Sequence, residues 1–256
     1  MNVFGAYARY YDLLYHDKDY GAETDYILSL ITRHAPEAKS ILELGCGTGL
    51  HACLMAEKGC TVHGIDLSEE MLEAAGRRRA NLPSQLQSRL SFAAGDVRTY
   101  RHACTFDVVV SLFHVFSYQT SNADLSSAFQ TAAAHLGPGG ILICDFWYGP
   151  AVLAQRPDVR VKRLQNQAYE IIRIAEPVLH ENTNLVDVHY DIRITERASG
   201  KVETLSEKHQ LRYIFLPELE LIAAQNSMSC LQSFSWLTQD PPSRDSWSVG
   251  AVLVKH

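Results

Sequence analysis

Between residues 40 and 148 short apolar runs alternate with stretches of helical periodicity, and this alternation constrains the fold more than any other feature. Residues 40–44 read as a strand, and 49–58 as a helix with Leu50, Cys53 and Leu54 on one face. "TVHGID", 61–66, is a second strand, after which Ser68 caps a helix to Arg79 with Glu69, Glu70 and Glu73 near its positive end. "RLSFAAGD" gives a third strand ending near Gly95. "FDVVVSLF", 106–113, is continuously apolar and fits a strand covered on both faces. Residues 123–136 place Leu125, Ala128, Phe129, Ala132, Ala133 and Leu136 on one helical stripe, "PGG" breaks it, and "ILICDFW" is a fifth strand. A helix over 23–34 precedes the series. The expected core is a doubly wound α/β sheet of seven strands, mainly parallel, whose strand ends meet at one ligand edge.

The period changes after Trp147. From 186 to 194, Val186, Val188, Tyr190, Ile192 and Ile194 alternate with Asp187, His189, Asp191 and Arg193, the pattern of a half-buried antiparallel strand. "ASGK" turns the chain, 202–215 returns as its partner, and 168–175 supplies another strand. Residues 149–215 are therefore expected as a small antiparallel sheet inserted into the parallel domain, which comprises 1–148 and 216–256. "PELELIAAQNSM" is helical, with Pro217 in its first turn, and strands over 229–237 and 247–254 close the core sheet.

The junction "ILELGCGTGLHA" carries the chemistry. Gly45, Gly47 and Gly49 lie between strand and helix, where the absence of Cβ lets the chain turn tightly and a ligand approach the backbone. The dinucleotide fingerprint would require glycine where Leu50 stands. Glu43, two residues before Gly45, suits an ammonium group better than a pyrophosphate. Asp66 ends the second strand and suits ribose hydroxyls, and Asp96 ends the third beside the same edge. Acids at three successive strand ends fit a cationic amino-acid nucleoside without phosphates, S-adenosylmethionine.

"LELGCGTG", "GIDLS", "AAGDVR", "FDVVVSLFHV" and "LGPGGILICDFW" resemble, in order and spacing, the successive motifs of class I S-adenosylmethionine-dependent methyltransferases, over residues 40–148. The resemblance implies a Rossmann-like methyltransferase fold with S-adenosyl-L-methionine as cofactor. It places Gly45, Cys46, Gly47, Thr48 and Gly49 along the methionine moiety, Asp66 on the ribose, Leu67 and Met71 along the adenine, and Asp96 with Val97 at its polar edge, with Leu112 also at the cofactor. The leader "YARYYDLLYHDKDYGAE" and the late segment "EKHQLRYIFLPELELI" resemble a narrower bacterial group that includes sugar-amine N,N-dimethyltransferases. In that group a tyrosine-rich leader helix covers the cofactor, with Tyr11 and Tyr20 at positions that contact its methionine end. The inserted sheet there pairs subunits or walls the acceptor pocket, so a homodimer through residues 149–215 is expected.

The acceptor site is read from strand order. The fourth strand delivers "SLFHVFSY" to the ligand edge, making His114 and Tyr118 the catalytic candidates. A histidine there is the side chain suited to take an acceptor's proton near neutral pH. Tyr118 aligns with a family position held by a different polar residue. His209, on the strand face of Leu211 and Tyr213, is the third candidate, placed to close the pocket, and Trp147 and Tyr148 are placed to wall it. Each of these also has an ordinary reading as a packed core residue. The expected reaction is methylation of a small polar acceptor, favoured as the amino group of an amino sugar or nucleotide-linked sugar. The alternatives are O-methylation of a sugar or natural product, or a catalytically silent cofactor-binding module.

Composition excludes several other classes. A net charge of −6 over 256 residues argues against a nucleic-acid partner, and no apolar run approaches the ~18 residues of a membrane span. The six cysteines, none in a CxxC pair, read as reduced thiols of a cytoplasmic protein. The histidines show no metal-ligand spacing, so no metal is expected. "DPPS", 240–243, lies too late in the chain for a nucleic-acid amino-methyltransferase signature and reads as a turn.

Overall fold

The computed structural model describes the backbone of residues 5–256 and the side chains from residue 10 onward. A leader helix α1 (Gly5–Leu14) and α2 (Tyr20–His34) precede the alternating series. That series runs β1 (Ser40–Leu44), α3 (Leu50–Glu57), β2 (Thr61–Asp66), α4 (Glu69–Ala80), α5 (Ser84–Gln87), β3 (Leu90–Ala94), β4 (Phe106–Ser111), a 3-10 turn (Val115–Tyr118), α6 (Asn122–Ala134) and β5 (Leu136–Tyr148). Then come α7 (Gly149–Gln155), β6 (Arg160–Gln165), β7 (Tyr169–His180), β8 (Leu185–Glu196), β9 (Val202–Ile214), α8 (Leu216–Gln225), β10 (Met228–Ser235) and β11 (Ser248–Lys255).

Seven strands form the Rossmann-like sheet in the order β3-β2-β1-β4-β5-β11-β10, all running the same way but β11, which is antiparallel to both of its neighbours. Val108, Val109 and Val110 of β4 are wholly buried because helices cover both faces. On one face α2 and α3 bring Ile27, Leu30, Ala52 and Met55. On the other, α6 and α8 bring Leu125, Phe129, Leu219 and Ala223. Helix starts follow local chemistry. Ser68 Oγ accepts from the Met71 amide at 3.3 Å, Ser121 Oγ from that of Asp124 at 3.0 Å, and Asp19 Oδ1 from that of Ala22 at 2.8 Å.

The last two residues of β5, Trp147 and Tyr148, pair with Tyr213 and Ile214 of β9. Through that join the core sheet continues into an antiparallel meander, β9-β8-β7-β6. One side of the meander meets the leader, where Leu14 packs on Ile171, Ile192 and Ile194.

Several elements differ from the sequence reading. β4 stops at Ser111 rather than residue 113, because Phe113 and His114 turn into left-handed backbone at φ 64° and 65°. β5 starts at Leu136 and carries "PGG" inside it. Gly139, at φ 79°, and a register shift opposite Phe106/Val108 absorb the irregularity there. β6, "RVKRLQ", and α7 are additional; β6 is an edge strand whose charged residues hide its period.

Candidate functional site

The carboxyl ends of β1, β2, β3 and β4 open onto a cavity of about 570 Å³. One half is lined by Gly45, Gly47, Asp66, Leu67, Ser68, Met71, Asp96, Val97 and Leu112. The other half is aromatic and basic, with Tyr11, Tyr15, Phe113, His114, Tyr118, Trp147, Arg160, Tyr190, His209 and Trp247.

The glycine loop is shaped for a ligand. Gly45, Gly47 and Gly49 all have positive φ. A Cβ on Gly45 would lie 2.5 Å from Val115 Cγ2, and one on Gly49 2.8 Å from Phe92, so packing fixes both. A Cβ on Gly47 would meet nothing within 4 Å among the described residues. That bare backbone faces the cavity, a cradle that any side chain would fill. Asp66 spans the loop and the next helix: Oδ2 accepts from the Gly47 amide at 2.8 Å and Oδ1 from the Ser68 amide at 2.9 Å. Burial raises its carboxyl above the usual range. Leu67 is 69% exposed beside it, an apolar face uncovered at the cavity edge, with Met71 buried below. Asp96 is clamped by Arg98, whose Nε lies 2.9 Å from Oδ1 and whose Nη1 reaches on to Asp124 at 2.9 Å. The Arg98 hydrogen bond holds the Asp96 carboxyl below its ordinary value. These residues fit S-adenosylmethionine: a backbone cradle, a carboxylate at the end of β2, and an exposed apolar shelf for a base.

The remaining cofactor candidates lie beside the cavity rather than in it. Glu43 is 1% exposed beneath the loop, and its Oε2 has no hydrogen-bond partner among the described residues. Cys46 is buried against Gly64, where burial pushes its thiol up. Thr48 Oγ1 donates to Asp12 Oδ1 of the leader at 2.8 Å. Tyr20 packs on the His51 ring at 4.8 Å and lines a second cavity with Asp12, Tyr15, Lys18 and Arg78.

The three catalytic candidates share the aromatic half. The backbone N–H of His114 donates to Asp145 Oδ1 at 3.1 Å, and its Nδ1 lies 2.7 Å from Asp145 Oδ2, off the axis of a hydrogen bond. Asp145 is 1% exposed, at the end of β5. Tyr118 Oη and His209 Nδ1 are 2.9 Å apart. Around them, Trp147 meets Trp247 edge-on at 5.3 Å, and the Arg160 guanidinium lies 6.0 Å from the Trp247 ring. The sequence reading missed Tyr15, Asp145, Arg160 and Trp247. Asp145 alone carried a signal: a single acid inside the apolar run "ILICDFW".

A family profile described as a methyltransferase domain matches residues 41–140. The dTDP-3-amino-3,4,6-trideoxy-alpha-D-glucopyranose N,N-dimethyltransferase of Streptomyces venezuelae is 31% identical over 188 residues, covering 73% of this chain and 76% of that protein. The dTDP-3-amino-3,6-dideoxy-alpha-D-glucopyranose N,N-dimethyltransferase of Streptomyces fradiae is 28% identical over 218 residues, covering 82% of each. Among solved structures, Streptomyces venezuelae DesVI superposes with a TM-score of 0.81 at 24% identity over 98% of both chains, a likeness of fold.

Proposed function

The chain belongs to the class I S-adenosylmethionine-dependent methyltransferases, related to bacterial sugar-amine N,N-dimethyltransferases, and on that premise we propose that it methylates the amino nitrogen of an amino sugar or nucleotide-linked sugar. The observation that carries this reading is the division of one cavity into a bare-backbone, acid-edged half and an aromatic half holding His114 and Asp145. When bound, S-adenosylmethionine supplies an electrophilic methyl group on a sulfonium.

The chain's own residues do the rest. The glycine loop and Asp66 hold the nucleoside, and Leu67 and Met71 cover its base. The tyrosines of the leader and the residues of the inserted meander wall the acceptor half, keeping bulk water from the reacting pair. Orientation of two reactants in one enclosed space accounts for ~7–11 kcal/mol of barrier in well-ordered cases. An amine arrives mostly as an ammonium ion and has no lone pair to attack with. His114, held by Asp145, takes that proton and leaves the nitrogen neutral. Both relatives described above are named for amines on dTDP-linked sugars, which supports nitrogen over oxygen. The His114–Asp145 pair would also serve a sugar hydroxyl, and this is the second reading.

Transfer of label from methyl-labelled S-adenosylmethionine to a panel of dTDP-linked amino sugars and their hydroxyl counterparts separates the two. Methylated amine with His114→Ala slowed ~100-fold at neutral pH is the expected result, in line with general base catalysis. The deficit of His114→Ala should shrink above the pKa of the amine, where the acceptor arrives neutral. Label only in hydroxyl acceptors would reassign the reaction, and no transfer to any member would overturn it.

A further inference from the structure

The acceptor half holds a hydrogen-bonded chain that ends on Glu207. Tyr118 Oη lies 2.9 Å from His209 Nδ1, and His209 Nε2 lies 3.0 Å from Glu207 Oε2. Glu207 and His209 are two residues apart on β9, so both side chains leave the same face of the strand. His209 is buried, and the Glu207 side chain is only 13% exposed. Tyr190 of β8 meets the His209 ring edge-on at 4.9 Å. Arg173 of β7 and Tyr15 of the leader also lie close enough to act on the Tyr118 phenol.

The polarity of the chain follows from its far end. A carboxylate only accepts hydrogen bonds, so the ring proton that satisfies Glu207 is the one on Nε2. In the neutral ring Nδ1 is then an acceptor, and the Tyr118 hydroxyl donates to it. Burial pushes the Tyr118 phenol well above its ordinary value, helped by the neighbouring phenols and Glu207, so the hydroxyl keeps a proton to give.

The geometry points to Glu207 as a positioning residue of the acceptor half: through His209 it holds the Tyr118 hydroxyl proton on the imidazole, so that Tyr118 meets the acceptor as a hydrogen-bond acceptor. The cavity thereby selects a molecule that presents an N–H or O–H beside Tyr118, and rejects one that offers only a carbonyl or ether oxygen there. An amine that gives one N–H to Tyr118 has its lone pair set in a fixed direction. The orientation itself stands on the hydrogen-bond chain, and its catalytic consequence rests on the methyl-transfer reading above.

Two measurements test it. Nitrogen-15 spectra of the histidine-labelled full chain, with His209 assigned by the signals lost in His209→Gln, report which ring nitrogen carries the proton. The expected wild-type ring is protonated on Nε2 and bare on Nδ1, and Glu207→Leu shifts proton population toward Nδ1. A wild-type ring protonated on Nδ1, or a tautomer unmoved by Glu207→Leu, overturns the inference. In turnover of the amino sugar that the wild type methylates, Tyr118→Phe and Glu207→Leu should each lower kcat/KM about tenfold, the loss of one hydrogen bond, mainly through KM and with S-adenosylmethionine affinity unchanged. The double variant should be no worse than Tyr118→Phe alone. A full additive loss would make Glu207 a residue of the sheet's stability and sink the proposal. Absence of turnover with any amine falls on the functional reading, whereas the tautomer, measured without an acceptor, falls on this inference alone.

Discussion

Glu43 sits in β1 with one carboxyl oxygen lacking a partner among the described residues, and burial, reinforced by Asp66 nearby, pushes its pKa up to about 8 from 4.5. The unfolded chain gives up this proton near pH 4.5, while the folded chain holds it until about pH 8. Between those values the folded state binds the extra proton, so stability falls as pH rises through the window. Glu43→Gln keeps the site neutral at every pH. Its advantage over the wild type in urea unfolding should be near zero at pH 4.5 and grow to the order of a few kcal/mol by pH 8. A difference that stays flat from pH 5 to 8 would show that Glu43 finds a partner in the folded state. At this scale the sequence was informative wherever a residue type is demanded by chain geometry or by a local ligand edge. Gly45, Gly47 and Asp66 could be placed from their neighbours alone. Asp145 could not, because it matters through a histidine that folding brings to it, and Glu207 could not, because it matters through the tyrosine that folding sets against His209.

The loop between β1 and α3 does two jobs with one residue type, and the glycines divide them. Gly45, at φ 76°, is closed in by Val115, whereas Gly47, at φ 54°, has open space in front of it. Gly47→Ala should therefore cost only the left-handed backbone penalty, ~1 kcal/mol, or roughly 2–4 °C in Tm for a chain of this size. Its methyl group projects where the ligand belongs, so affinity for S-adenosylmethionine should drop more than tenfold. Gly45→Ala should lower Tm further, since Val115 and the 3-10 turn behind it must shift. Calorimetry and thermal unfolding of the two variants check the contrast, and normal cofactor binding by Gly47→Ala would remove the loop from the site. The parallel strands were legible because burial on both faces leaves a continuous apolar run. β6 was not, since an edge strand takes its partner from β7 and needs no apolar period of its own. The shortened end of β4 was hidden for another reason: Leu112 and Phe113 are apolar like the strand before them, and only the backbone turns away at Phe113.

Across the whole molecule, the leader ties the inserted meander to the cofactor half. Lys162 Nζ of β6 donates to Leu14 O at 2.9 Å and pairs with Asp17 at 2.7 Å, and Tyr10 donates to Glu203 of β9 at 3.2 Å. On the other side Asp12 accepts from Thr48 Oγ1 in the glycine loop at 2.8 Å and from Arg78 of α4 at 2.7 Å. Tyr11 and Tyr15 hang from this bridge into the cavity. Asp12 is half exposed, so its ion pair contributes at most about 1 kcal/mol to folding. Its effect on the ligand should be larger, because the same contact ties the leader, whose Tyr11 and Tyr15 line the cavity, to the glycine loop. Asp12→Ala should leave Tm within about 4 °C of wild type and speed dissociation of S-adenosylhomocysteine several-fold in stopped-flow displacement, with association changed less. Thr48→Val, which removes one of the two contacts from the loop side, should give a smaller change in the same direction. Equal dissociation rates in wild type and Asp12→Ala would mean that the leader lies over the cavity without holding the ligand in, and that the glycine loop and Asp66 retain it unaided.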